Sequence, residues 1–233
     1  MLFVSLLISG PFNHVTAQES KVPQNLPKYD KQWIHFGFVL GINSASFRMV
    51  ESGDFKLQDS AYSIVPQSQS GLNLGILSNL HLGNHFDLRF MPGLSFVQRK
   101  LDYSFYYPST SQSPVLVKTV ESTYLELPLN VKFKSKRIDN YRLYVIAGGR
   151  YSVDMISQAK VKERDPDILK LKRKDYGLEI GMGADFYMPY FKFSPEIKMF
   201  SGIPNLLVDE NTVYVNPLQS LRSKIFFISF FFE

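Results

Sequence analysis

No cysteine occurs in this chain, and that one absence removes disulfide scaffolds, thiolate nucleophiles and cysteine metal sites together. Histidine is almost as scarce, at four residues. No apolar run approaches the roughly twenty residues of a membrane-spanning helix. Also missing are a glycine-rich phosphate loop, a Gly-x-Ser-x-Gly nucleophile turn and a His-Glu-x-x-His pair. The formal net charge is +5, but its basic residues are scattered instead of forming a stripe, which counts against a nucleic-acid partner. No cofactor is expected.

What the chain has is alternation. Apolar and polar residues alternate with period two near 32–47, 71–82, 85–105, 115–134, 140–155, 174–187, 191–200 and 224–232. Within 86–96, Phe86, Leu88, Phe90, Pro92, Leu94 and Phe96 oppose Asp87, Arg89, Met91, Gly93 and Ser95. Residues 124–133 repeat this in the opposite phase, and 176–186 repeat it again. The connections alternate as well: long at roughly 48–70, 106–114, 156–173 and 201–223, tight at 83–84, 135–139 and 188–190. Short turns at one end and long loops at the other are the pattern of outer-membrane barrels. The expected fold is therefore all-β: an eight-stranded antiparallel up-and-down transmembrane β-barrel, with both termini periplasmic.

A soluble sandwich would also alternate; the charges separate the two cases. They fall mid-strand on the polar face, and an eight-stranded barrel holds little beyond its own side chains. An internal ion-pair network is therefore expected, with Asp87, Glu126, Glu179, Asp185 and Glu196 set against Arg89, Lys132, Arg142, Arg150, Lys192 and Lys198. Arg89, Arg142 and Arg150 are expected to pair with Glu126, Glu179 or Asp185. Aromatic residues gather at strand ends, Phe105, Tyr106 and Tyr107 at one rim and Tyr187, Tyr190 and Phe191 at the other, as the interfacial girdles of a barrel require.

The start reads as an export signal. Leu2 to Ile8 is apolar and too short to span a bilayer, and Val15-Thr16-Ala17 resembles a small-residue cleavage site. Residues 1–17 are expected to be the signal peptide, 18–31 a periplasmic segment and 32–233 the barrel. The run lacks a positive flank, which points to a start codon further upstream.

Three features bear on function. His81 and His85 flank the Gly83-Asn84 turn near Asp87, an arrangement better suited to interfacial turn residues than to a metal or acid/base pair. The loop from Lys160 to Asp175 holds Lys160, Lys162, Arg164, Lys170, Lys172, Arg173 and Lys174. These could bind phosphorylated glycolipid such as lipopolysaccharide, or simply keep the loop solvated. The loop 201–223 carries Pro204, Leu206, Leu207, Val208, Tyr214 and Val215, which suits either a contact surface or packing across the barrel mouth. Strands three and four run to about twenty residues where about ten cross hydrocarbon, so their hairpin should project from the membrane as a docking arm.

The segment Tyr124-Leu125-Glu126-Leu127-Pro128-Leu129-Asn130-Val131-Lys132, the opening His35 to Asn43 with Phe47 and Arg48, the Gly177 to Gly183 strand and the lead-in Asn25 to Asp30 resemble the PorT family over roughly 25–233. The resemblance implies an outer-membrane barrel of Bacteroidota. It also implies a non-enzymatic role in the type nine protein secretion system, with other secretion proteins as partners and a possible part in gliding. Such barrels commonly finish on an aromatic residue, whereas here Glu233 follows Phe232. Two other classes stand beside this one: a barrel for small ligands or solutes, and an outer-membrane hydrolase.

Overall fold

The computed structural model describes residues 23–52, 61–105, 115–156, 169–208 and 214–233. After a 3-10 turn at Tyr29–Lys31, every regular element described is a strand: β1 (Ile34–Glu51), β2 (Ala61–His81), β3 (Phe86–Phe90), β4 (Gly93–Phe105), β5 (Val115–Lys134), β6 (Tyr141–Asp154), β7 (Lys174–Tyr187), β8 (Lys192–Gly202) and β9 (Leu218–Phe232). All pairings are antiparallel, and β1 pairs with both β2 and β9, so the sheet closes on itself. β3 and β4 are two halves of one stave, since both pair with β2 and β5. They part at Met91-Pro92, where proline has no N–H to give the ladder. The ring thus has eight staves, as the alternation implied.

The outer wall shows where lipid lies. Outward side chains on β6 run Tyr141, Leu143, Val145, Ala147, Gly149, Tyr151, and those on β7 run Tyr176, Leu178, Ile180, Met182, Ala184, Phe186. Each series starts and ends on an aromatic ring, over the roughly ten residues that cross a bilayer as a strand. Trp33, Phe86, Tyr190 and Phe191 extend the girdle at the tight-turn end, all of them exposed. Tyr187 does not join them. It is buried inside the ring, because it shares the inward face with Asp185. Tyr106 and Tyr107 lie outside the described residues.

Beyond the apolar band the ring divides. β1 pairs with β2 only as far as Ala45 opposite Gln69, and β5 meets β6 only from Tyr124 onward. The far parts of β2, β4 and β5 (61–68, 97–105 and 115–122) continue together as a three-stranded flap. Its outer face carries Gln67, Gln98, Lys100, Asp102, Thr119 and Glu121 beside Val65, Val115 and Val117, with Gln98 donating to Glu121 at 3.1 Å. The polarity of the charged and amide groups among them marks it as standing in water. It also explains two misplaced starts: β2 begins at Ala61 instead of 71, and β9 at Leu218 instead of 224, because outside lipid nothing forces the outward residues to be apolar.

The inner face of the flap is mostly apolar, with Arg99 lying over the Phe47 and Tyr124 rings and Lys118 over that of Tyr214. Ile64, Leu101 and Tyr103 pack on Phe47, Leu169, Leu171, Leu206, Leu207, Val215, Leu218 and Leu221. The loops after β6 and β8 join there through a bridge between Leu171 and Leu207, and Lys172 N–H donates to Leu206 at 2.8 Å. Leu206, Leu207 and Val215, with Tyr214 against them, therefore pack across the mouth. Full burial of such side chains stabilises by about 1.5–3 kcal/mol each, and it stoppers this end of the barrel.

Candidate functional site

Below that stopper the lumen is filled by charges arranged in layers. Arg89 lies 2.8 Å from Glu196, and Tyr144 also donates to Glu196 at 2.9 Å. Lys132 binds Asp185 at 2.7 Å, and Ser194 donates to the same carboxylate at 2.7 Å. Further along, Arg150 reaches Glu126 at 2.8 Å and Glu179 at 3.5 Å, while Lys198 lies 3.1 Å from Glu179. Arg89, Lys132, Glu179, Asp185 and Glu196 are almost wholly buried. Small residues make room for them: a Cβ at Gly183 would meet the Tyr144 ring at 2.5 Å, so glycine there lets the tyrosine cap Glu196.

The partners differ from those expected for two of the three arginines. Arg150 does pair with Glu126 and Glu179. Arg89 pairs instead with Glu196, and Arg142 with Asp30, at 3.1 Å. Asp185 is taken by Lys132. The physical reason is that each stave is tilted and staggered, so residues at one height come from distant sequence positions and the nearest carboxylate cannot be read from strand order.

Asp30 belongs to the segment 18–31, expected to lie in the periplasm outside the barrel. Residues 23–33 instead cross the tight-turn end of the barrel as a strap. Asn25 Nδ2 donates to the Tyr187 carbonyl at 2.9 Å, and its backbone N–H to Asn140 Oδ1 at 2.8 Å. Tyr29 stacks on His35 with ring centroids 3.8 Å apart and donates to Glu233 at 2.7 Å. Glu233 in turn lies 2.8 Å from Lys192. Burial, reinforced by the charge of Glu233, pushes the Tyr29 phenol well above its usual range, so it stays a donor to Glu233. Asp30 and Glu233 were invisible as network members because neither lies within an alternating strand. The lead-in's Tyr-Asp and the acidic residue after Phe232 were the only signals.

Asp30→Asn is expected to loosen this strap. Arg142 is buried and Asp30 about a third exposed, so after allowance for solvent screening the loss is about 1 kcal/mol. Hydrogen exchange should quicken several-fold over 23–33 while β6 and β7 keep their protection. Unchanged exchange in the strap would show that Asp30 does not hold it.

The remaining candidates fall elsewhere. His81 lies 2.8 Å from Asp87, but Lys134 reaches the same carboxylate at 2.6 Å and Asn79 donates to it at 3.2 Å. Lys134, not called from the sequence, makes this a satisfied ionic cluster. His85 faces the Lys134 carbonyl at 3.1 Å and does not join His81. Lys160, Lys162 and Arg164 lie outside the described residues. Of the described ones, Lys170 is buried, while Lys172, Arg173 and Lys174 are exposed.

A closed antiparallel ring with an apolar outer band, aromatic rims and a charged interior defines a transmembrane β-barrel. The sequence matches the outer membrane protein beta-barrel domain over residues 17–208, and the chain belongs to that family. No curated protein matches it. Among solved structures, it is similar to the outer membrane protein OprG from Pseudomonas aeruginosa, with 10% identity, 84% of this chain and 92% of that one covered and a TM-score of 0.43. Neisserial surface protein A shows 11% identity, 86% and 98% coverage and a TM-score of 0.43. The outer membrane protease OmpT from Escherichia coli shows 9% identity, 85% and 95% coverage and a TM-score of 0.41.

Proposed function

We propose that this barrel is a non-enzymatic component of the type nine protein secretion system of Bacteroidota, acting as a docking or anchoring element for other secretion proteins, with a possible part in gliding. In this reading the long loops and the flap face the cell exterior, and the strap and both termini face the periplasm. The observation that carries it is the closure of the lumen, by the apolar stopper at one end and by the strap and ion pairs at the other. A barrel filled in this way offers its rims, not its interior, for function. The likeness of Tyr124 to Lys132, His35 to Asn43 and Asn25 to Asp30 to the PorT family supplies the particular system.

Deleting the gene is expected to cut the amounts of several secreted and surface proteins together, measured by a quantitative census of the medium and cell surface, with return on complementation. An unchanged census, together with steady conductance in planar bilayers, would favour a solute barrel instead.

A further inference from the structure

We infer that Arg48, Arg222 and Lys224 form a headgroup site for a phosphorylated glycolipid of the outer leaflet, set on the lipid-facing wall where β1 meets β9. This rests on the orientation proposed above. Arg48 stands directly opposite Arg222 in the ladder, and Ser46 opposite Lys224. All three basic side chains point outward, since Phe47, Leu221, Ser223 and Ile225 fill the inward positions between them. Directly opposed side chains lie about 5 Å apart at Cβ, and Arg222 and Lys224 are about 7 Å apart along the strand.

Three cations so placed repel one another, and like charges facing across a ladder destabilise it. A bound dianion would relieve that repulsion. Among the described residues no carboxylate lies within ion-pair distance of any of the three, and Arg222 is half-buried with its Nε unpartnered. Inside the ring, Arg89, Lys132, Arg150, Lys192 and Lys198 each lie beside a carboxylate, while Arg99 instead lies over the Phe47 and Tyr124 rings.

The surroundings specify the ligand. Immediately below the triad the same wall presents Phe226, Ile228, Ile42 and Leu40, all exposed, and Lys224 Nζ sits 5.3 Å from the Phe226 ring centroid. A molecule with phosphate above and acyl chains below meets both halves of this surface. Arginine forks bind phosphate oxygens in pairs, so the opposed arginines suit a phosphorylated sugar held at the top of the hydrocarbon. The site is separate from the basic loop 160–174 and does not draw on it.

The test uses the full chain purified free of lipid in neutral detergent, with diphosphoryl lipid A as probe and native mass spectrometry as readout. Wild type is expected to retain lipid A at least tenfold better than Arg48→Gln/Arg222→Gln, while Lys172→Gln/Arg173→Gln/Lys174→Gln retains it as wild type does. Dephosphorylated lipid A and phosphatidylglycerol should both bind weakly. A second readout reverses sign. Without lipid, the double variant should melt higher than wild type, because the repulsion is gone; with lipid A it should melt lower. Equal retention by wild type and double variant would overturn the site, and phosphatidylglycerol binding as well as lipid A would overturn the glycolipid assignment. Orientation is read separately. Cysteine at Lys172 should react with an impermeant maleimide on intact cells and cysteine at Asn84 should not; the reverse labelling would overturn the outer-leaflet placement even where lipid A binds.

Discussion

Glu179→Leu is expected to lower the unfolding temperature of the barrel by roughly 6–20 °C, whereas Leu178→Ala, one residue away, should shift it by no more than a few degrees. Glu179 is fully buried and accepts from Asn130 at 3.0 Å and from Lys198 at 3.1 Å, with Arg150 at 3.5 Å. Leucine in its place leaves two cations sharing the single nearby carboxylate of Glu126. Removing one member of a buried ionic cluster costs about 3–5 kcal/mol, and about 1 kcal/mol corresponds to roughly 2–4 °C for a chain of this size. Leu178 faces outward at 65% exposure, where lipid fills whatever a shorter side chain vacates. The measurement is the temperature at which the folded band disappears in a heat-modifiability gel. Pairing Glu179→Leu with Lys198→Met should return part of the loss, because it removes a stranded charge. Equal effects at 178 and 179 would contradict the assigned faces.

The contrast between those two positions was legible in the sequence, because the side-chain period of two forces neighbours to opposite faces. Lipid on one side and charge on the other leave no intermediate solution, so β5 and β7 were read with their observed bounds. Legibility failed where that constraint lapses. In the flap the outward residues of β2 run Ser63, Val65, Gln67, with no apolar series, and the first part of β2 was taken as loop. Partner choice also escaped. Arg89 meets a glutamate 107 positions away, a match fixed by tilt and stagger and not by any local pattern. Tyr187 shows a third kind of failure: its place at a strand end suggested a girdle, but its parity with Asp185 turns it inward, where it donates to Asp30 at 3.3 Å.

If the flap is the working part, shortening it should separate insertion from function. Replacing residues 104–117 by Asn-Gly leaves Leu101 opposite Lys118, closes the hairpin with the four-residue loop Asp102-Tyr103-Asn-Gly and keeps Leu101 over the stopper, so the barrel should still insert and still run as a folded, heat-modifiable band. Export of cargo should nevertheless fall to near the level of the gene deletion. The removed residues include a run of exposed apolar surface: Val115, Leu116 and Val117 are 58%, 41% and 54% exposed in succession. Three consecutive apolar residues in water are unfavourable unless something covers them, and in the proposed orientation lipid lies below them. A partner surface is the remaining cover. A milder change separates loss of contact from loss of length: Val115→Thr/Val117→Thr keeps β propensity and the pairing with Asp102 and Ser104 while removing apolar area, and should cut export several-fold with no change in insertion. Normal export from both inserted variants would move the docking site from the flap to the strap at the other end of the barrel, where Asp30→Asn would then be the variant to examine.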